Sequence, residues 1–247
     1  MRLAILSDVH ANPIALEAVL ADVQERGGAD GYWVLGDLVS PGYDPGGVLR
    51  RLTALPDVRF VRGNTDRYTL GDAFPHLTIA QAQADPRLVP RLVAAARVGA
   101  WAHGYLTGTG WIEWLAGLQL ELRETLPDGT RLLGVHAAPG QDDGPGVEPG
   151  TPEDDLRALL EGCGADLVCV GHTHRPSERR VRLPGGEVRV VNVGAVAGLI
   201  DEPGGSYALL DAGASGYRVA VHRVAFDAEA VDRARQRHYL PQPGPIR

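Results

Sequence analysis

Five places along the chain carry Asp, Asn or His, most of them with glycine alongside: Asp8-x-His10, Gly36-Asp37, Gly63-Asn64-Thr65-Asp66, His136 and Gly171-His172-Thr173-His174. The donors are imidazole nitrogens and carboxylate or amide oxygens with no thiolate, a set that suits Mn²⁺, Fe, Zn²⁺, Ni²⁺ or Co²⁺ better than a soft metal. Taken singly, each has an ordinary explanation: Asp-x-His as a cap or turn, His136 as a satisfied core histidine, His-x-His as two residues on one strand face. Their position gives them weight. Each follows a short apolar run, Leu3–Leu6, Tyr32–Leu35, Val58–Val61, Arg131–Val135 and Leu167–Val170, and in open α/β sheets ligands bind outside the carboxyl ends of the strands. Glycine beside the polar residue lets the backbone turn sharply there.

The elements that must position these residues alternate. Asn12-Pro13 offers a cap with proline at the first helical position, and Leu16, Val19, Leu20 and Val23 follow at helical spacing until Gly27-Gly28. A second helix is expected around Val48–Leu55. Strand–helix–strand repetition of this length implies right-handed crossovers and a largely parallel sheet. Residues 72–118 break the rhythm: Asp85-Pro86 starts a helix predicted to run to about Ala102, and Trp111, Trp114, Leu115 and Leu118 suggest a short one. This helical insert holds three of the four tryptophans. Leu120–Leu126 and Arg131–Val135 flank Pro127-Asp128-Gly129 as a hairpin, and Gln141–Asp155 reads as an exposed loop ending at a helix near Thr151-Pro152. Strands are expected at Leu167–Val170, Val188–Val191, Tyr207–Leu210 and Tyr217–His222, then an amphipathic helix near Asp227–His238. The organisation predicted is one domain over 1–240 and a loose tail over 241–247.

Composition narrows the chemistry. The 247 residues contain no lysine, so all 24 basic side chains are arginine, which removes Schiff-base catalysis and the P-loop lysine. The formal charge of −7 provides no global field for nucleic acid. Cys163 and Cys169, the two cysteines, match neither a zinc nor a redox spacing. No uncharged apolar run approaches the ~18 residues of a membrane span, and Leu3–Leu6 is too short for a signal-peptide core. A cytoplasmic location is the expectation.

As an ordered set, Asp8-x-His10, Gly36-Asp37, Gly63-Asn64-x-Asp66, His136 and Gly171-His172-x-His174, with Asn192-Val193-Gly194 as a late turn, resemble the calcineurin-like metallophosphoesterase superfamily, most closely its small bacterial phosphodiesterase and diadenosine polyphosphatase members. The resemblance implies a four-layer αββα sandwich around two divalent metal ions, Mn first among the candidates. Carried over position by position, Asp8, His10 and His174 bind one metal, Asn64, His136 and His172 the other, and Asp37 bridges them. A hydroxide shared by two such ions would attack phosphorus in line. Asp66 is a candidate for orienting a histidine ligand, the alternative being a helix N-terminal acid.

One departure bears on substrate. Many members of the superfamily carry histidine after the asparagine, where it is thought to protonate the leaving group, and here the residue is Thr65. Losing that acid removes a contribution of about 10²–10⁴ for an alkoxide leaving group, whereas a phosphate leaving group, with a last pKa of about 6, needs little protonation. The substitution therefore favours anhydrides or activated aryl esters, and the expected substrate is a small phosphoanhydride or phosphodiester such as a dinucleoside polyphosphate. A phosphomonoesterase or phosphoprotein phosphatase is the alternative, and a non-catalytic metal-binding scaffold the reading from another class. His76 and His103 are substitutes for the missing acid, and Arg175, then Arg62 and Arg67, are candidates for non-reacting phosphates. Trp101, Trp111, Trp114 and Tyr68 are either adenine-stacking or packing residues. Catalytic roles thus fall on Asp37, Asn64, Asp66 and Arg175.

Overall fold

Strands buried on both faces read as unbroken apolar runs rather than alternating ones, and the central strands here do so. The computed structural model describes residues 1–71, 78–200 and 202–238. It contains two five-stranded mixed sheets. The first has the order β10(Gly216–Val224)–β9(Gly205–Gly213)–β1(Arg2–Leu6)–β2(Gly31–Leu35)–β3(Val58–Val61), with β1, β2 and β3 parallel and β9 and β10 antiparallel. The second has the order β4(Glu121–Thr125)–β5(Arg131–Val135)–β6(Leu167–Val170)–β8(Gly186–Asn192)–β7(Ser177–Leu183), parallel through β5, β6 and β8 and antiparallel at both edges.

Alternation along each strand divides the apolar residues between layers. Leu3 and Ile5 of β1, Trp33 and Leu35 of β2, and Leu167 and Cys169 of β6 meet in a core between the sheets. Ala4, Leu6, Tyr32 and Val34 face the other way, onto Leu16, Val19 and Val23 of α1 (Pro13–Glu25) and Val48, Leu49 and Leu52 of α2 (Pro45–Thr53). Val168 and Val170 face Leu156 and Leu160 of α7 (Glu153–Leu160). Helix, sheet, sheet and helix make the αββα sandwich. Asn12 and Asp44 cap the first two helices, each accepting a backbone N–H bond with proline next in sequence.

Between β3 and β4 lie α3 (Asn64–Thr69), α4 (Ile79–Ala84), a 3₁₀ turn at Pro86–Leu88, α5 (Val89–Gly108) and α6 (Ile112–Ala116). Leu106 and Leu115 enter the core, and Trp111 and Trp114 pack against it. Trp114 stands edge-on to Phe60 at 5.1 Å. Helix α8 (Ala228–His238) closes the described chain.

Several sequence expectations need correction. Each sheet is mixed, because hairpins add antiparallel strands at its margins. Helix α5 runs on past Ala102 to Gly108, with Gly104 inside it at a position where a Cβ would meet nothing within 4 Å. Strand β7 was not expected, its apolar alternation being hidden by three arginines in Ser-Glu-Arg-Arg-Val-Arg-Leu, yet it pairs with β8 around the Gly185-Gly186 turn. The Gln141–Asp155 segment is not uniformly exposed, for Asp142 and Val147 are buried. His76 and the 241–247 tail lie outside the described residues.

Candidate metal centre

All five chemistry-bearing segments emerge where a parallel strand ends: Asp8 and His10 after β1, Asp37 after β2, Asn64 after β3, His136 after β5 and His172 and His174 after β6. Their backbones are bent to reach one another. Asp8, His10, Asp37, His172 and His174 all have φ between 47° and 68°, the left-handed region that costs a non-glycine residue energy. Close approach also explains the glycines. A Cβ on Gly171 would lie 1.9 Å from Ser7 Oγ and 2.5 Å from Asp8 Oδ2, and one on Gly63 would lie 2.1 Å from Asp37 Oδ1.

Each histidine has one ring nitrogen on a backbone carbonyl: His10 Nδ1 to Ser40 (2.5 Å), His136 Nδ1 to Leu35 (2.6 Å), His172 Nε2 to Gly144 (2.9 Å) and His174 Nδ1 to Gly198 (3.0 Å). A carbonyl can only accept, so in each neutral ring the proton is on that nitrogen and the lone pair is on the other. The lone pairs converge. His10 Nε2 and His174 Nε2 are 3.0 Å apart, and Asp8 Oδ1, buried without a hydrogen-bond partner, lies 3.7 and 3.2 Å from them. Nearby, Asn64 Oδ1 is 3.0 Å from both His136 Nε2 and His172 Nδ1, and Asp37 Oδ1 is 3.4 Å from His136 Nε2. Asp37 Oδ2 reaches within 3.7 Å of His10 Nε2, so this carboxylate faces both groups.

Acceptors packed this closely repel unless a proton or a cation lies between them. Two overlapping groups, Asp8/His10/His174 and Asp8/Asp37/His136, each bring three ligand atoms within 4.8 Å of one another. The donor set and the orphaned Asp8 oxygen fit divalent metal.

The electrostatics carry the same tension. Burial alone would raise the Asp8 carboxyl, but the imidazoles, His174 foremost, outweigh it and hold Asp8 below the usual carboxylate range. Burial and then the Asp8 charge push Asp37 up to about 7. Burial also brings His10 down to about 4. For His174, burial is outweighed by Asp8, which raises the imidazole.

Residues 1–215 match the family model of the calcineurin-like phosphoesterase superfamily domain. The chain belongs to that superfamily. It is thus a metallophosphoesterase, a hydrolase of a family that uses divalent metals and acts on small phosphorylated substrates. No curated protein matches it by sequence. Among solved structures, a hypothetical protein from Pyrococcus horikoshii OT3 is 21% identical, with a TM-score of 0.77 over 98% of this chain and 94% of that one. A metallophosphoesterase from Sphaerobacter thermophilus is 24% identical, with a TM-score of 0.72 over 98% of this chain and 95% of that one. At these identities the likeness is one of fold.

Around the centre of this phosphoesterase, the remaining candidates have defined partners. Asp66 is fully buried and accepts from Leu38 N (2.9 Å), Val39 N (3.3 Å) and Gly63 N (3.0 Å). It ties the turn after β2 to the turn after β3. That differs from orienting a histidine ring, since the four ring tethers described above are backbone carbonyls. Burial, followed by the Asp37 charge, pushes Asp66 up to about 7 against the pull of those N–H donors. Thr65 donates its backbone N–H to Asp37 Oδ1 (2.9 Å) and its hydroxyl to the Ser40 carbonyl (2.6 Å), the same oxygen that holds His10.

The three candidate arginines are engaged. Arg62 and Arg67 both bind Asp142, at 2.8 and 3.1 Å, Arg67 also reaches Asp143 at 3.1 Å, and Arg175 pairs with Glu148 at 2.9 Å. Tyr68 donates to Asp143. The acidic loop expected to be solvent-exposed therefore folds against the site, with Gly144 on His172 and Asp142 between two arginines. His103, on α5, sits with Nδ1 2.9 Å from the Thr69 carbonyl. Asn192, which the sequence marks only as a late turn, is a structural residue at the end of β8. Its buried Nδ2 lies 2.9 Å from the Val147 and Gly171 carbonyls and from Thr173 Oγ, bracing the Gly171–His174 turn from beneath. A buried amide directly after an apolar strand was the available signal. Among the described residues, no helix is long and apolar enough to cross a membrane.

Proposed function

We propose that this phosphoesterase is a dinuclear enzyme that hydrolyses a small phosphoanhydride or phosphodiester, such as a dinucleoside polyphosphate. Asp8, His10 and His174 would hold one divalent ion, Asn64, His136 and His172 the second, with Asp37 shared; Mn²⁺ is the leading candidate, ahead of Fe, Zn²⁺, Ni²⁺ and Co²⁺. Bound there, such ions supply Lewis-acid charge to a phosphoryl group and lower the pKa of water.

The chain's own residues do the rest. Backbone carbonyls keep each imidazole in the tautomer that offers its lone pair. Asp66 fixes the two turns carrying Asp37 and Asn64. Arg175, half-exposed beside His174, would take a non-reacting phosphate in exchange for Glu148.

The observation that carries the choice of substrate is the Thr65 hydroxyl. Its proton is committed to the Ser40 carbonyl, and a threonine hydroxyl is no acid at neutral pH. An alkoxide leaving group would depart from this site unassisted, whereas a phosphate group needs almost no proton. The test is turnover by the Mn²⁺-loaded protein on a diadenosine polyphosphate, an aryl phosphodiester and phosphoserine, with Asp37→Asn as the control and metal content measured alongside. Preference for the dinucleotide, lost in Asp37→Asn, with two metal ions per chain, is the expected result. Asp37-dependent turnover dominated by phosphoserine would overturn the substrate assignment.

A further inference from the structure

At the opposite end of β1 from the metal centre lies a cavity of about 330 Å³ lined by Arg2, Arg26, Leu209, Asp211, Arg218 and His222. Arg2 opens the strand and Asp8 follows its end, six residues on, so the two sites are separated by about 20 Å of extended chain. Strands β9 and β10 supply the floor. Arg218 stands directly across from Asp211 in their register, and Ala220 across from Leu209. Arg26 comes from the C-terminal end of α1, which covers this face.

We propose that this cavity is a binding site for a phosphate dianion, either free or as the phosphate of a small phosphomonoester. Three guanidinium groups and an imidazole meet there, in a chain whose overall charge is −7. Two carboxylates answer them. Asp22 holds Arg26 through two contacts of 2.7 and 3.2 Å, and Asp211 turns to Arg2 at 3.3 Å rather than to Arg218 opposite. The guanidinium of Arg218 has neither an ion pair nor a hydrogen bond among the described residues, and the Nε of Arg2 is buried without a hydrogen-bond partner despite its nearness to Asp211.

The convergence shows in His222 as well. Burial, then the charges of Arg26, Arg218 and Arg2 against that of Asp22, hold its imidazole below the ordinary value. Three cations thus act on one ring at the cavity wall. A dianion is the ligand that would relieve that repulsion while accepting N–H bonds from guanidinium forks, for which phosphate has the matching geometry. The cavity adjoins a groove of about 540 Å³ that shares Arg2, Asp211 and Arg218 and adds Tyr217 and Ser215, room for the organic part of a phosphomonoester.

The test is calorimetric titration of the EDTA-treated full chain at constant ionic strength with orthophosphate, adenosine monophosphate and adenosine, with the His222 ring followed by NMR. Chelation keeps the metal centre from contributing. Both phosphates are expected to bind and to move the His222 resonances and raise its pKa, while adenosine does neither. Arg218→Ala should weaken binding about tenfold, the scale of one charge-assisted hydrogen bond. Arg218→Lys should restore most of it, and Asp211→Asn, which frees Arg2, should tighten it. Tighter binding of the nucleotide than of orthophosphate assigns the organic part to the groove; equal binding assigns the free anion. Absence of heat and of any His222 shift at millimolar phosphate and nucleotide, or unchanged affinity in Arg218→Ala, would overturn the proposal.

Discussion

Asp66→Ala isolates what holds the two central turns together. The substitution leaves three buried backbone donors, Leu38 N, Val39 N and Gly63 N, without their acceptor. At about 1–2 kcal/mol per orphaned donor the loss is about 3–6 kcal/mol, against a typical total stability of about 5–15 kcal/mol. In a chain of this size that corresponds to a fall in Tm of about 6–24 °C. Asp66→Asn should do less damage. Its carbonyl can still serve Leu38 and Val39, but the amide then presents hydrogens to the Gly63 N–H, so about 1–3 kcal/mol is lost. The assay is urea and thermal unfolding followed by far-UV circular dichroism on EDTA-treated protein, so that metal binding does not mask the difference. Metal titration of the folded variants then reports whether Asp37 and Asn64 are still held in register. The order wild type, Asn, Ala is the diagnostic result. An alanine variant within about 0.5 kcal/mol of wild type, the range of an ordinary surface substitution, would show that the clamp carries no weight.

Divalent metal should stabilise the fold: Mn²⁺ at a hundred times its Kd adds about 2.7 kcal/mol per site, a Tm rise of about 5–11 °C for each site, and EDTA should reverse it. In Asp8→Asn differential scanning fluorimetry should show a much smaller rise. The EDTA-treated protein should lose stability as pH rises from about 4 to about 7, because Asp37 and Asp66, both pushed up to about 7, keep protons in the folded state that the unfolded chain has released. His10, pushed down to about 4, acts in the opposite sense below its ordinary 6.5 and offsets part of this. Thermal melts at about pH 5 and pH 8 check the sign, and saturating metal should shrink the difference by favouring the ionised carboxylates. Finally, Trp114→Ala should cost about 2–4 kcal/mol through lost packing against Phe60 and the helical layer while leaving KM for a nucleotide substrate within about twofold. Unfolding curves and steady-state kinetics separate that outcome from a base-stacking role.

Much of this was legible because glycine and polar residues interrupt apolar runs abruptly. The turn after each parallel strand announces itself in Gly36-Asp37 or Gly171-His172. What stayed hidden depends on pairing rather than on local pattern. Strand β7 was masked by charge: Glu178, Arg180 and Arg182 occupy its exposed positions at a sheet edge, and Arg179 stands half-buried on the side where an apolar residue would have marked the alternation. Asp142 reads as a solvent-facing acid in a Gly/Pro-rich loop, yet it is buried because Arg62 and Arg67 arrive from another part of the chain. Asp66 was identified as a site residue, but its bonding partners lie 27 and 28 residues back, at Val39 and Leu38, and no spacing rule reveals them.

The carbonyl tethers on the four histidines carry a consequence for how the protein tolerates mutation. Where a carboxylate steadies a ligand, one substitution deletes it; here the acceptors are the main-chain oxygens of Leu35, Ser40, Gly144 and Gly198. Changing the side chain at Leu35 or Ser40 leaves those oxygens in place. Ring orientation is therefore inherited from the path of the backbone, and the centre is robust to drift at the residues that steady it while remaining vulnerable to any insertion or deletion that reroutes those loops.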